Sequence, residues 1–145
     1  MNEQAVVAGY SGRSTVQKLG IKPGFRIFVD GAPAAYTAIV GELPADVRIM
    51  KAAKAPLDQV HLFATEAKGL AAKLRGYRKA IAPDGMIWVS WPKKASGVAT
   101  DVTETVIRET ALANGLVDVK VCAVDEVWSG LKLVIPVKER VKATR

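Results

Sequence analysis

The segment DQVHLFATEAKGLAAKLRGYRKAIAPDGMIWVSW, residues 58–91, decides the fold. It opens with an apolar run at 58–65 that is typical of a buried strand. From 66 to 82 the apolar residues recur at the spacing of one helical face. These apolar residues are Leu70, Leu74, Tyr77 and Ile81. A Pro-Asp-Gly turn then leads into a second apolar strand at 86–91. A strand–helix–strand unit of this kind predicts two parallel strands joined by a right-handed crossover.

The rest of the chain continues this alternation. The further predicted elements are helices at 14–20, 33–43 and 101–114 and strands at 25–30, 47–50, 116–124 and 130–136. Asp101 and Glu104 stand where an acidic capping box would begin the last helix. Few residues separate the last two strands, so they are expected to pair as a hairpin. Strand and helix would thus alternate five times. The pattern predicts an α/β fold, a mostly parallel sheet with a C-terminal antiparallel hairpin and helices on both faces.

Length and composition limit what the protein can be. Its 145 residues, half of them hydrophobic, fit one domain over 1–145, with an N-terminal helical extension at 1–20 and a basic tail at 138–145. A two-lobed enzyme and a disordered chain are excluded. The single cysteine, Cys122, and the single histidine, His61, exclude a disulfide framework and a Cys/His metal site. No apolar run approaches the ~20 residues of a membrane span, so we expect a cytoplasmic domain without membrane contact; its oligomeric state stays open.

Four phrases of the sequence mark the starts or lead-ins of predicted strands: KPGFRIFVD at 22–30, LDQVHL at 57–62, IAPDGMIWV at 81–89 and NGLVDV at 114–119. They resemble landmarks of the class I S-adenosylmethionine-dependent methyltransferases. More closely, WPKKASG at 91–97 and VDEVWSGLK at 124–132 are similar to the signature segments of a family of short bacterial proteins that carries a domain-of-unknown-function label. The resemblance covers nearly the whole chain. It implies a Rossmann-like, class I methyltransferase-type sheet and S-adenosylmethionine as the cofactor to be considered.

The sequence departs from working methyltransferases where they hold that cofactor. The loop after the first strand reads DGAPAA at 30–35, with one glycine where several normally let the backbone approach the ligand. The second strand ends Ile49-Met50-Lys51, where an acidic residue normally holds the ribose, and an ammonium accepts no hydrogen bond. S-adenosylmethionine is therefore not favoured. Asp30 and Asp58 are the acids left to line the expected cleft.

Candidate binding residues follow from where ligands collect in such sheets, beyond the carboxyl ends of the strands. Loop 91–100 offers two ammonium groups, two hydroxyls, a flexible glycine and an aromatic wall just before a helix N-terminus, which suits a phosphate or carboxylate. A second constellation lies in the hairpin turn, where a salt bridge to loop 91–100 is preferred over a catalytic carboxylate pair. The candidates are Asp30, Gly31, Trp91, Pro92, Lys93, Lys94, Ser96, Gly97, Thr100, Asp125, Glu126 and Trp128. No metal site is predicted, and catalytic residues stay unassigned.

Three functions remain open. The favoured one is a diverged or non-catalytic methyltransferase-like domain that binds an anionic small molecule or partner at the strand-end loops. The second is a methyltransferase with a rebuilt cofactor loop. The third is a basic module, of net charge +7, that contacts nucleic acid or an acidic protein through the five basic residues of helix 66–82 and through the basic tail. Simple solvation of the helix residues is the alternative. His61 is expected to be a hydrogen-bonded core residue and Cys122 an inert thiol.

Overall fold

The computed structural model describes residues 13–141 as four α-helices and one six-stranded sheet. The helices are α1 (Thr15–Leu19), α2 (Tyr36–Val40), α3 (Leu70–Ala80) and α4 (Glu104–Ala113). The strands are β1 (Arg26–Asp30), β2 (Arg48–Met50), β3 (Leu57–Phe63), β4 (Ile81–Pro92), β5 (Val117–Ala123) and β6 (Trp128–Val134). Short 3₁₀ turns follow β4 at Lys94–Ser96 and β6 at Val137–Glu139.

The sheet has the strand order β2-β1-β3-β4-β6-β5. Strands β1 to β4 pair in parallel, and β6 runs antiparallel between β4 and β5. The predicted fold class, a mostly parallel α/β sheet that closes with an antiparallel hairpin, is confirmed.

Side chains alternate along the strands between two separate apolar clusters, one on each face of the sheet. On one face, α1 and α2 pack through residues such as Leu19 and Val40 against Ile27 and Trp88. On the other, α3 and α4 pack through Leu74 and other apolar residues against the central strands. The burial of these apolar side chains is the main contribution to the folding free energy of such a domain. Helices therefore cover both faces, as predicted.

The five-fold alternation is wrong. The connection from β2 to β3, residues 51–56, contains no helix, because six residues are too few for a crossover helix. The predicted turn at 82–85 is an irregular stretch within β4, where the pairing register with β3 shifts. No helix of the described residues is long and apolar enough to cross a membrane.

The start of α4 also differs from the prediction. Thr103 is its N-cap, since the Thr103 side chain accepts a hydrogen bond from the Val106 amide at 3.1 Å. Asp101 instead accepts from the backbone N–H of Ala67 at 2.8 Å. The predicted Asp101 capping box is therefore wrong, because the carboxylate is used to join the loop before α4 to the loop after β3.

Candidate functional site

The sheet reverses its winding direction at β1 and β3. The chain moves from β1 to β2 on one side, and β3 returns to the other side of β1. Ligands of open α/β sheets bind at such a switch point, beyond the carboxyl ends of the strands. A crevice of about 190 Å³ opens there, which we call the switch-point crevice. Its lining residues are Leu62, Phe63, Ala64, Thr65, Glu66, Lys68, Leu70 and Lys73.

Asp30, at the carboxyl end of β1, is held by α3. The Tyr77 hydroxyl donates a short hydrogen bond to the Asp30 carboxylate. The Lys73 ammonium lies 3.0 Å from the same carboxylate oxygen. Burial, and then the nearby Asp30 charge, raise the pKa of Tyr77, so its hydroxyl stays protonated and donates. The acid predicted to line the cleft is thus already paired within the protein.

Gly31 brings the loop after β1 against the end of β3. Its φ of +77° lies in the left-handed region, which favours glycine. A Cβ atom at this position would lie 2.7 Å from the carbonyl oxygen of Phe63. The close approach that requires this glycine is therefore made to the protein's own backbone.

These residues do not fit S-adenosylmethionine in the usual manner. The switch-point crevice, at about 190 Å³, is smaller than the 300–1,000 Å³ typical of ligand sites. After β2, residues 51–56 read KAAKAP and carry no side-chain acceptor for a ribose. Asp58, expected to line the cleft with Asp30, lies at the opposite edge of the sheet, where its carboxylate accepts from the Arg26 amide at 2.8 Å. That expectation is wrong because Asp58 begins β3 whereas Asp30 ends β1.

A larger opening lies between the loop after β4 and the start of α4. This β4–α4 groove has a volume of about 600 Å³. It is lined by Trp91, Pro92, Lys93, Lys94, Gly97, Val98, Ala99, Thr100, Val102, Thr103 and Glu104. Six of the candidate binding residues, all from loop 91–100, are in this lining. The groove adjoins the switch-point crevice, since the Thr100 hydroxyl donates to the Thr65 carbonyl at 2.7 Å.

The two signature segments, 91–97 and 124–132, contact each other through Lys93. Its ammonium donates to the Asp125 backbone carbonyl at 2.7 Å, and its amide donates to the Val127 carbonyl at 2.7 Å. The Asp125 carboxylate accepts from the amides of Val127 and Trp128, each at 2.8 Å. The expected salt bridge between the segments is therefore wrong. The Asp125 carboxylate caps its own turn, the Lys93 ammonium binds backbone, and neither Glu126 nor Lys94 forms an ion pair among residues 13–141.

Of the other predicted side chains, some are bonded or packed within the protein and one is free to contact a ligand. The Ser96 hydroxyl donates to the Lys93 carbonyl at 2.6 Å and accepts from the Val98 amide. Trp128 is buried and packs edge-on against Phe63, with ring centroids 5.2 Å apart. Lys94 is exposed, and its ammonium makes no ion pair or hydrogen bond within the described part of the chain. Lys94 is thus the cation that the groove can offer to a ligand.

Sequence reasoning missed a buried polar chain that links β3, β4 and α2. Gln59 donates to the Tyr36 hydroxyl at 3.0 Å, and that hydroxyl lies 2.6 Å from His61 Nδ1. His61 Nε2 lies 2.6 Å from the Ser90 hydroxyl. Because His61 and Ser90 are 29 residues apart, only the parity and register of β3 and β4 could have signalled the pair.

This serine–histidine pair has the contacts of a nucleophile and its base but no access to a substrate. His61 and Ser90 are both fully buried. Burial lowers the pKa of His61 to about 3, so the ring is neutral at neutral pH. Since Tyr36 already accepts from Gln59, its own hydrogen is left for His61 Nδ1, and His61 Nε2–H then donates to Ser90. The expectation that His61 is a hydrogen-bonded core residue matches this geometry.

The basic residues of α3 are largely engaged within the domain. Lys73 pairs with Asp30, and Arg75 donates to the Asn114 side chain at 3.1 Å. Arg78 donates to the Gly115 carbonyl at 2.9 Å and pairs with Glu139 at 3.0 Å. Salt bridges of this kind at a surface contribute little to stability, but they reduce the charge that α3 can present to a nucleic acid.

The fold is that of the class I S-adenosylmethionine-dependent methyltransferases. The structure is similar to an S-adenosylmethionine-dependent methyltransferase from Aquifex aeolicus, with a TM-score of 0.61 and 13% identity over 83% of this chain and 87% of that one. It is also similar to magnesium protoporphyrin IX methyltransferase from Synechocystis PCC 6803, with a TM-score of 0.57 and 14% identity over 84% and 74%. Precorrin-6y C5,15-methyltransferase from Geobacter metallireducens GS-15 gives 0.55 and 13% over 84% and 85%.

Residues 47–137 match the family described as "Protein of unknown function (DUF3052)", and the chain belongs to that family. The match includes both signature segments, the β4–α4 groove and the switch-point residues of β3 and α3. No curated protein matches the sequence.

Proposed function

We propose that this protein is a diverged methyltransferase-fold domain that binds an anionic ligand with an apolar portion in the β4–α4 groove, without using S-adenosylmethionine. The observation that supports it most is the contrast between the two openings. The switch-point crevice is about 190 Å³ and adjoins an Asp30 already paired by Tyr77 and Lys73. The β4–α4 groove is about 600 Å³, within the usual range of ligand sites.

The chemistry of the groove favours an anion. Lys94 supplies an ammonium that is unpaired among residues 13–141, and the groove includes the start of α4, where helix amides and the dipole favour negative charge. The Glu104 carboxylate in the same lining is paired with Arg108. Trp91, Val98 and Val102 give the same groove an apolar wall. An aromatic or aliphatic carboxylate, sulfonate or phosphate satisfies both surfaces.

A calorimetric titration tests the cofactor half of the proposal. We expect neither S-adenosylmethionine nor S-adenosylhomocysteine to bind with a dissociation constant tighter than ~1 mM. The physical reason is the lack of an acceptor after β2 and the small volume beside Asp30. Saturable binding of either compound would instead support the alternative of a methyltransferase with a rebuilt cofactor loop.

The variant Lys94→Gln tests whether the β4–α4 groove binds an anion. Naphthalenesulfonate is the probe, and quenching of tryptophan fluorescence is the readout, because Trp91 lines the groove whereas Trp88 and Trp128 are buried. We expect Lys94→Gln to weaken binding about fivefold, as loss of one charge-assisted contact does. Lys79→Gln is the matched control, since Lys79 is exposed on α3 and away from the groove.

Lys93 is unsuitable for this test because its ammonium holds the turn at Asp125. Equal affinity of wild type and Lys94→Gln for naphthalenesulfonate would remove the groove as the anion site. The basic-module alternative predicts a different result, namely RNA binding that weakens steeply with salt and depends on the exposed α3 lysines.

A further inference from the structure

A third opening lies at the amino-terminal edge of the sheet, opposite both the switch-point crevice and the β4–α4 groove. We call it the amino-edge cavity, and its volume is about 300 Å³. Its lining residues are Gly20, Lys22, Phe25, Asp58, Asp84, Gly85, Met86 and Lys132. These come from the loop after α1, the starts of β1 and β3, the irregular stretch of β4 and the last part of β6. Of the residues singled out from the sequence, only Asp58, expected in the cofactor cleft, lies here.

Two ammonium groups, those of Lys22 and Lys132, line this cavity, and that of Lys120 lies next to Lys132 on the neighbouring strand. Lys132 on β6 is the direct cross-strand partner of Lys120 on β5. Like charges in directly opposite positions destabilise a sheet. Lys22 lines the cavity beside Lys132. Within residues 13–141, none of these three lysines forms an ion pair.

Lys132 is the most constrained of the three. It is half-buried against the cavity wall. Burial, and then the charges of Lys120 and Lys22, lower the pKa of its ammonium. All three causes act in the same direction, and among residues 13–141 neither Asp58 nor Asp84 forms an ion pair with Lys132. A bound anion would relieve the repulsion among the three lysines.

The other residues that line the cavity indicate which chemical groups the anion has besides its charge. Asp58 and Asp84 line the cavity and can accept hydrogen bonds, although Asp58 already accepts one from the Arg26 amide at 2.8 Å. Phe25 and Met86 add apolar surface. A ligand that fits therefore has a doubly charged group for the lysines and hydroxyl donors for the carboxylates, on a small carbon skeleton.

We propose that the amino-edge cavity binds a small hydroxylated phosphate monoester, with its phosphate on Lys22 and Lys132, next to the charge of Lys120, and its hydroxyls on Asp58 and Asp84. Lysine ammonium groups bind phosphate as point charges, and a phosphate dianion matches three cations better than a carboxylate does. A cavity of about 300 Å³ limits the ligand to the size of a small sugar phosphate. This site is independent of the β4–α4 groove.

The test uses the full chain with glycerol phosphate as the probe and inorganic phosphate, glycerol and sodium chloride at equal ionic strength as comparisons. We expect glycerol phosphate to raise the melting temperature more than any of the three comparisons. Lys132→Gln should weaken glycerol phosphate binding about tenfold, measured by calorimetry. Lys79→Gln and Lys94→Gln should bind it as wild type does, which separates this site from the groove.

A second readout needs no ligand. Lys132→Gln removes the repulsion with Lys120, so the free variant should melt at a higher temperature than the free wild type, and Lys120→Gln should do the same. Asp84→Asn should weaken the binding of glycerol phosphate relative to that of inorganic phosphate, because only glycerol phosphate loses a hydroxyl contact while both lose the same repelling charge. The proposal is overturned if glycerol phosphate stabilises the wild type no more than sodium chloride does, or if Lys132→Gln binds it with unchanged affinity.

Discussion

Lowering the pH from 7 to 5 should cost the domain about 2 kcal/mol of unfolding free energy through His61 alone. Burial lowers the folded-state pKa of His61 to about 3, from an ordinary value of 6.5. Below pH 6.5 His61 therefore binds a proton in the unfolded chain, whereas in the folded domain it stays neutral until the pH approaches 3. The stability is fully present above pH 6.5, and it is lost progressively as the pH falls toward 3.

Urea unfolding at pH 7 and pH 5 measures this loss, with His61→Gln as the comparison. Glutamine can still hydrogen-bond Tyr36 and Ser90 but does not titrate, so the variant should lose about 2 kcal/mol less than wild type over the same pH interval. His61→Gln is expected to be less stable than wild type at pH 7, because it replaces a ring stacked on Phe63 with centroids 4.3 Å apart.

Nuclear magnetic resonance of the wild type gives an answer even if His61→Gln does not fold. The chain contains one histidine, so its imidazole signal needs no assignment. We expect that signal to stay at the neutral position down to about pH 4, as a folded pKa of about 3 requires. A titration midpoint near 6.5 in the folded domain would contradict the prediction.

Gly31→Ala should be the most damaging single-methyl change on the carboxyl edge of the sheet. The new Cβ would lie 2.7 Å from the Phe63 carbonyl oxygen, on a residue with a φ of +77°. Left-handed backbone alone costs a non-glycine residue about 1 kcal/mol. With the clash added, we expect a loss of about 3 kcal/mol or more in the unfolding free energy.

Gly97→Ala separates the two contributions. Gly97 has nearly the same φ, +75°, but a Cβ there meets open space. We expect Gly97→Ala to cost about 1 kcal/mol, so that chemical denaturation shows Gly31→Ala to be less stable by about 2 kcal/mol. Equal costs for the two variants would mean that the loop after β1 is not held against β3.

The fold was largely predictable because its signal is local. The helical spacing of Leu70 to Ile81 and the apolar runs on either side place α3 between β3 and β4 without further information. The absence of a crossover helix after β2 was predictable as well, because residues 51–56 are too few for one even though the Lys/Ala run at 51–54 is compatible with helix.

The candidate site was only partly predictable because its contacts are long-range. Composition pointed to loop 91–100, which does line the β4–α4 groove. It could not show that the Lys93 ammonium is hydrogen-bonded to the Asp125 carbonyl whereas Lys94 is exposed. The lysine pair on β5 and β6 depends on hairpin register, and the His61–Ser90 pair depends on the register of β3 with β4.

The buried polar chain also affects how the sheet assembles. It consists of the hydrogen-bonded side chains of Gln59, Tyr36, His61 and Ser90. Apolar residues tolerate several alignments, but sliding β3 by one residue would turn His61 toward the α3 side. There it would meet the apolar cluster of Leu62 and Val89, with no partner for either ring nitrogen. The imidazole therefore penalises misaligned pairings of β3, so that one strand alignment is selected over its neighbours before any ligand is bound.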